Sequence, residues 1–66
     1  MNIPKLKGKL TEKKKTYIMC SKILGISVPT FNAKMNGKSK FYIDELEKLG
    51  NYLEMTPDEK ADIFLH

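Results

Sequence analysis

The chain has 66 residues with 12 lysines, eight acidic residues and a formal net charge of +4, and 41% of its residues are hydrophobic. A chain of this length buries only about 60% of its unfolded surface, so we expect one small domain over residues 1–66. Its single cysteine excludes an internal disulfide framework, and no apolar run in it is long enough to span a membrane.

The first predicted helix begins near Ile3 and has Pro4 in its first turn, where the missing N–H of proline breaks no helical bond. Leu6 and Leu10 continue a narrow apolar stripe from Ile3 at helical spacing. Gly8 costs this helix up to ~1 kcal/mol relative to alanine. We therefore expect the first helix to depend on packing against the rest of the domain.

Residues 16–37 predict two short helices joined by a sharp turn. Thr16 is a favourable N-cap for the first helix, and Gly25 can adopt the left-handed backbone conformation that the turn requires. Ser27 can cap the second helix, and Pro29 fits in its first turn. Two short helices that meet at a glycine are typical of a helix-turn-helix.

Apolar residues of this segment recur at helical spacing, so they are expected to face the core. In the first of the two helices they are Met19, Cys20, Ile23 and Leu24. In the second helix they are Phe31 and Met35. We interpret Cys20 as a small buried hydrophobic residue.

The spacing of Ile43, Leu46, Leu49 and Leu53 predicts a fourth helix, with Phe41 folding back onto the core before it. Gly50 either weakens this helix or lets a neighbouring element approach it closely.

The start of the fifth helix has the clearest signals of any predicted helix. Thr56 is a good N-cap, Pro57 takes the first helical position, and Glu59 can complete a capping box. Phe64 or Leu65 near its end is expected to stay exposed, which would offer an apolar dimer contact.

The two ends of the sequence carry opposite charge. Residues 1–43 contain ten lysines and one acid, whereas residues 44–66 contain two lysines and seven acids. Such separation favours a surface that meets a polyanion, although a solvated lysine face that only keeps the protein soluble is the alternative. Because the predicted helix-turn-helix lies inside the basic segment, we favour the polyanion. Lys5, Lys13, Lys14 and Lys15 are expected to offer a second set of phosphate contacts.

Residue patterns of catalytic or metal sites are missing from the sequence. The only histidine is His66, the last residue, and no cysteine or carboxylate stands near it at metal-ligand spacing. There is no glycine-rich phosphate loop, nucleophile elbow or Cys-Xaa-Xaa-Cys pair. We expect no enzymatic activity, no cofactor and no small-molecule ligand.

Residues 24–39, LGISVPTFNAKMNGKS, resemble the DNA-binding motif of phage Cro and lambda-type repressors. The resemblance is greatest to small Cro-like phage proteins with a GIS-x-x-TF-x-x-K-x-NGK run. It implies an all-α, five-helix lambda-repressor-like DNA-binding domain with the helix-turn-helix at helices 2 and 3. It also implies that the helix at residues 28–35 enters the major groove of double-stranded DNA.

Carried over by position, the resemblance implies two sets of DNA contacts. The expected base contacts are Ser27, Val28, Pro29, Asn32 and Ala33. The expected phosphate contacts are Thr16, Tyr17, Thr30, Lys34, Asn36, Lys38 and Lys40. Asn32 is the best direct reader, because its amide can pair bidentately with adenine. The family usually has glutamine where this sequence has Tyr17, which can donate only a hydroxyl.

By analogy the protein is a phage or prophage Cro-like repressor that reads operator half-sites in the cytoplasm of a bacterial host, in association with the nucleoid. Two copies would bind adjacent half-sites and contact each other through the fourth and fifth helices. The rival hypothesis is a helix-turn-helix module that binds another regulator, as an anti-repressor or antitoxin. The missing glutamine and the apolar recognition helix favour that rival.

Overall fold

The computed structural model describes residues 1–65, and five α-helices account for most of that range. They are α1 (Ile3–Glu12), α2 (Tyr17–Leu24), α3 (Val28–Met35), α4 (Ile43–Tyr52) and α5 (Pro57–Phe64). No strand occurs among the described residues. This confirms the predicted all-α class and is consistent with a lambda-repressor-like helix-turn-helix fold. The expectation for His66 lies outside the described residues.

The predicted helix starts are confirmed by their capping hydrogen bonds. The Thr16 side chain accepts from the N–H of Met19 at 3.1 Å, so α2 begins directly after it. At the start of α5, Thr56 and Glu59 form the predicted reciprocal capping box. Each cap satisfies backbone N–H groups that the first helical turn leaves without a partner.

The core lies where α2 packs against α3 and α4, while α1 packs against α5. Its buried apolar residues are Leu6, Leu10, Cys20, Leu24, Phe31, Met35, Leu49, Leu53, Met55 and Ile63. Phe31 is fully buried, and its ring meets those of Tyr17 and Phe41 edge to face at centroid distances of 5.2 and 5.9 Å. Because Phe31 belongs to α3, the outward direction of that helix is fixed by the core.

Two apolar residues expected in the core are exposed instead, and so is a third whose spacing predicted the fourth helix. Met19 and Ile23 in α2 are 43% and 40% exposed, and Ile43 at the start of α4 is 84% exposed. The short helix α2 buries only one narrow side, which Cys20 and Leu24 share with a serine. That serine, Ser21, is accommodated because its hydroxyl donates to the carbonyl of Ile18 at 2.8 Å.

Helices α4 and α5 approach closely at Gly50. A Cβ atom at this position would lie 2.9 Å from Cε of Lys60 and 3.3 Å from the ring of Phe64. Of the two roles considered for Gly50, close approach by a neighbour is therefore confirmed. None of the helices described for residues 1–65 has the length and apolarity needed to cross a membrane.

Candidate nucleic-acid interface

Helices α2 and α3 are joined by a short turn with a defined backbone path. Gly25 has φ 69°, the left-handed conformation predicted for it. The N–H of Gly25 donates to the carbonyl of Lys22 at 3.2 Å, and that of Ile26 donates to Ser21 at 3.0 Å. Ile26 also packs against the core. These bonds close the end of α2 and fix where α3 begins.

Helix α3 has two different faces. Its inward residues are Phe31, Lys34 and Met35, all of them buried. Its outward residues are Val28, Pro29, Thr30 and Asn32, which are exposed, and Ala33, which is half-buried. Residues four apart lie on one face of a helix, so Val28, Asn32 and the following Asn36 form a continuous outer row. All five predicted base-contact residues are thus at least partly accessible to a partner.

The start of α3 presents two linked hydroxyl groups. The Ser27 hydroxyl accepts from the N–H of Thr30 at 3.2 Å and donates to the Thr30 hydroxyl at 2.8 Å. The hydrogen of the Thr30 hydroxyl is therefore still available for donation to an acceptor outside the protein. The arrangement suits a contact with a phosphate or a base edge near the N-terminus of α3.

The N-terminus of α2 holds the other predicted phosphate-contact residues. Thr16 is exposed and serves as the N-cap, while Tyr17 is half-buried with its ring packed edge to face on Phe31. The phenol of Tyr17 is therefore anchored by the core, unlike the flexible glutamine that is usual at this position in the resembled family.

Lys34 departs from the prediction. Its side chain is only 4% exposed, and its Nζ atom donates to Glu45 Oε1 at 2.9 Å and to the carbonyl oxygen of Lys40 at 2.8 Å. Position 34 follows the inward side of α3 next to Phe31 and Met35. A phosphate contact from Lys34 does not fit this geometry, because its ammonium group is neutralised inside the protein.

The loop between α3 and α4 carries the remaining predicted phosphate contacts. Asn36, Lys38 and Lys40 are all exposed. Gly37 has φ 76°, which reverses the chain at the end of α3, and the N–H of Lys38 donates to the carbonyl of Ala33 at 2.9 Å. The loop therefore begins directly after the outer row of α3, and it exposes two lysines.

Lysines of α1 are largely engaged within the protein. Lys5 pairs with Asp62 at 2.6 Å, and the buried Lys9 pairs with Glu12 at 3.1 Å and with Glu59. Hydrogen bonds to Glu59 and Glu12 raise the pKa of Lys9. The bond from Lys9, followed by the backbone N–H of Thr56, lowers the pKa of Glu59 to about 2.

The segment after α1 shows the same tendency. Lys13 lies 3.9 Å from both Glu12 and Glu54, and Nζ of Lys15 sits 4.6 Å from the ring centroid of Tyr52. Together with α1, this segment was expected to supply a second set of phosphate contacts. Lys5 and Lys13 of that set are instead opposed by acids of α1, α5 and the turn before α5.

Sequence reasoning missed these ion pairs for a simple reason. Lys34 and Glu45 are 11 residues apart, and Lys9 and Glu59 are 50 apart, so no helical spacing links them. Only the pair of Lys9 with Glu12 has the i,i+3 spacing that a sequence pattern can reveal.

Within residues 1–65, no group of three or more His, Cys, Asp or Glu side chains could hold a metal ion.

Comparison with known proteins places the chain in a family. No curated protein sequence matches it. The family model described as the BetR domain matches residues 5–64, which spans all five helices except the first two residues of α1. BetR domains are non-catalytic helix-turn-helix DNA-binding domains related to Xre and Cro-type regulators. The chain belongs to the BetR domain family.

Proposed function

We propose that this protein is a sequence-specific regulator of transcription that inserts α3 into the major groove of double-stranded DNA. Membership of the BetR family supports DNA binding by a helix-turn-helix regulator. The observation that carries the specific proposal is the exposed outer face of α3, which is followed in the chain by the exposed Lys38 and Lys40. A capped helix with cations beside it matches the shape and charge of a groove between two phosphate backbones.

The proposed base contacts come from the outer face and N-terminus of α3. They are Ser27, Val28, Pro29, Asn32 and Ala33. The amide of Asn32 can form two hydrogen bonds with adenine, whereas Val28, Pro29 and Ala33 offer only apolar contact, most naturally with thymine methyl groups. With one amide reader, part of the specificity would depend on the shape and deformability of the DNA.

The proposed phosphate contacts come from both ends of the helix-turn-helix. They are Thr16 and Tyr17 at the start of α2, Thr30 in α3, and Asn36, Lys38 and Lys40 after α3. Lys34 is excluded from this set because it is buried against Glu45. Thr16 and Thr30 have exposed side chains near helix N-termini, where backbone dipoles favour anions.

Fluorescence anisotropy with a labelled duplex tests this proposal. The duplex should come from the intergenic DNA that flanks the gene, with a scrambled duplex of equal length as control. We expect tighter binding to the flanking DNA and a steep loss of affinity with salt, with a log–log slope of roughly 0.9 per phosphate contact. Equal and salt-insensitive binding to both duplexes would contradict the proposal.

We further propose that two copies bind adjacent half-sites and touch through α4 and α5. An open groove of about 470 Å³ lies between these helices, and its lining includes Leu46, Ala61 and Phe64. Ile43 and Leu65 at its ends are 84% and 79% exposed, which is unusual for large apolar side chains in water. Analytical ultracentrifugation with and without operator DNA, using Ile43→Lys as the variant, tests this contact. We expect Ile43→Lys to abolish a two-copy complex while one copy still binds DNA.

The biological role that we propose is the repression of phage or prophage operators in a Cro-like manner. It is supported by the resemblance of residues 24–39 to Cro-like proteins. A reporter gene under the flanking intergenic promoter would lose expression when the protein is produced, and an increase would indicate an activator instead.

One observation favours a second function, the binding of another regulatory protein. The outer side of α2 exposes Ile18, Met19 and Ile23 at 56%, 43% and 40%, and Val28 at the start of α3 is 38% exposed. An apolar surface of this kind is more typical of a protein contact than of a phosphate contact. Under this alternative, Ile18→Lys would abolish partner binding, and the duplex in the anisotropy experiment would bind only weakly and without sequence preference.

A further inference from the structure

We infer that Lys34 and Glu45 are positioning residues that hold the α3–α4 loop in the shape that binds phosphate. This inference rests on the proposed DNA binding, because the loop carries Lys38 and Lys40. The two residues and their hydrogen-bond partners are called here the loop clamp: Lys34, Glu45, the carbonyl of Lys40 and the N–H of Tyr42. The clamp contacts no DNA itself and acts only through the loop.

The loop clamp joins three parts of the chain through two side chains. Lys34, in α3, donates from Nζ to Glu45 Oε1 in α4 at 2.9 Å and to the Lys40 carbonyl in the loop at 2.8 Å. The same oxygen of Glu45 accepts from the N–H of Tyr42 at 2.8 Å. One lysine and one carboxylate thereby fix both the middle of the loop and its junction with α4.

Aromatic rings enclose the ammonium group of the clamp. Nζ of Lys34 lies 4.4 Å from the ring centroid of Tyr42 and 5.8 Å from that of Phe41. Phe41 in turn packs edge to face on Phe31 in the core. The side chains of Lys34 and Glu45 are only 4% and 8% exposed, so water and salt screen their attraction little.

The other end of the loop is tied to α3 by backbone hydrogen bonds. The N–H groups of Lys38 and Ser39 both donate to the carbonyl of Ala33, at 2.9 and 3.3 Å. With the clamp at residues 40 and 42, the loop is held at its beginning, middle and end. A backbone that is already ordered loses less conformational entropy when its lysines bind a phosphate.

The direction in which Glu45→Gln changes DNA affinity distinguishes positioning of the loop from simple electrostatics. The substitution removes a negative charge and frees Lys34, so electrostatics alone would strengthen DNA binding. If the clamp positions the loop, binding must instead weaken, because glutamine holds the ammonium group less strongly than a carboxylate does. Asp44→Asn is the matched control, since Asp44 is the adjacent, exposed acid and the change in charge is the same.

The experiment measures DNA affinity by anisotropy and amide hydrogen exchange by NMR on the same proteins. We expect Glu45→Gln to bind the flanking duplex about tenfold more weakly than Asp44→Asn. We also expect the amides of Lys38 and Ser39 to exchange about tenfold faster in Glu45→Gln, because the loop opens more often. The amide of Cys20 in α2, which donates to the Thr16 carbonyl, should be unchanged and reports that the fold is intact.

A second variant covers the case in which a single substitution unfolds the protein. Lys34→Met with Glu45→Met replaces the buried ion pair with apolar side chains, a kind of change that folded proteins often tolerate, and it leaves the net charge unchanged. This double variant should lose the protection of the loop amides and the same tenfold in affinity.

Failure of the inference can be told apart from failure of the proposed function. If Glu45→Gln binds DNA as tightly as Asp44→Asn or more tightly, or if its loop amides remain protected, the clamp does not position the loop. If the unsubstituted protein binds no duplex, the proposed function fails, and the loop amides still decide whether the clamp orders the loop.

Discussion

Two lysine-rich regions of the molecule differ in how many of their lysines pair with acidic residues in the folded protein. In and after α1, Lys5, Lys9 and Lys13 pair with acids, three of which lie in α5 or in the turn before it. In the α3–α4 loop, Lys38 and Lys40 are exposed. Similar runs of sequence therefore yield a partly neutralised region and a cationic one.

The difference shows that lysines clustered in the sequence need not form a cationic patch on the surface of the folded protein. The acid-rich C-terminal part of the chain folds back onto α1, so the separation of signs along the sequence serves packing within the molecule. Only lysines that remain away from acids can release counterions from DNA on binding. If this holds, the two regions differ in function as they do in charge.

The largest difference is expected between two double variants of equal charge. Lys38→Ala with Lys40→Ala should weaken binding roughly fiftyfold at about 0.1 M salt and lower the salt slope by about 1.8, since two phosphate contacts are lost. Lys5→Ala with Lys13→Ala should change affinity much less, because acids already oppose those charges. Anisotropy over a salt series measures both quantities. Equal losses in the two variants would show that the comparison does not hold.

The substitution Asn32→Ala tests whether the outer face of α3 contacts bases, independently of its charge. Loss of the amide should cost about 2 kcal/mol on the cognate duplex, or roughly thirtyfold in affinity. Binding to a scrambled duplex and the salt slope should stay as they were, because no phosphate contact changes. Paired titrations of both duplexes provide the measurement. A uniform loss on the two duplexes would instead make Asn32 a phosphate contact.

Much of the fold was predictable because its signals are local. Caps such as Thr16 and Thr56 and the left-handed Gly25 lie within a few residues of the helix ends they determine. The exposure of Ile23 and Ile43 was not predictable in this way. Whether an apolar residue is buried depends on which neighbouring helix covers it, and helical spacing alone does not specify the neighbour.

The outer face of α3 was predictable for the same local reason, since the inward residues Phe31 and Met35 define it by exclusion. The burial of Lys34 was not predictable, because its partner Glu45 is brought near only by the folded α3–α4 connection. A lysine four residues from Thr30 and two from Asn32 looks like a phosphate contact until the position of α4 is known.

The ion pair between Glu59 and a lysine of α1 also predicts how the stability of the protein depends on pH. The pKa of Glu59 is about 2 in the folded protein against an ordinary value of 4.5, so folding stabilises its charged form. That stabilisation is complete above about pH 4.5 and is lost as the pH falls towards 2. Urea unfolding between these pH values should show a drop in stability that is smaller in Glu59→Gln. An equal drop in both proteins would assign the acid sensitivity to other carboxylates.

The smallest effect is expected from the surface pair of Lys5 and Asp62. Their side chains are 53% and 54% exposed, so solvent screens the attraction despite the 2.6 Å separation. Asp62→Asn should therefore change the free energy of unfolding by less than about 1 kcal/mol. It should also free the charge of Lys5 without a large gain in DNA affinity. A gain that approaches the loss in the Lys38 and Lys40 double variant would mean that α1 lies close to the DNA.

NMR shift mapping of the isotope-labelled protein with the flanking duplex tests most directly that the outer face of α3 and the loop after it bind DNA. We predict that the amide signals of Val28, Asn32, Asn36, Lys38 and Lys40 shift strongly, while those of Lys5 and Lys7 on α1 hardly move. If the shifts instead concentrate on α1, or on Ile18 and Ile23 of α2 alone, the proposed interface is wrong.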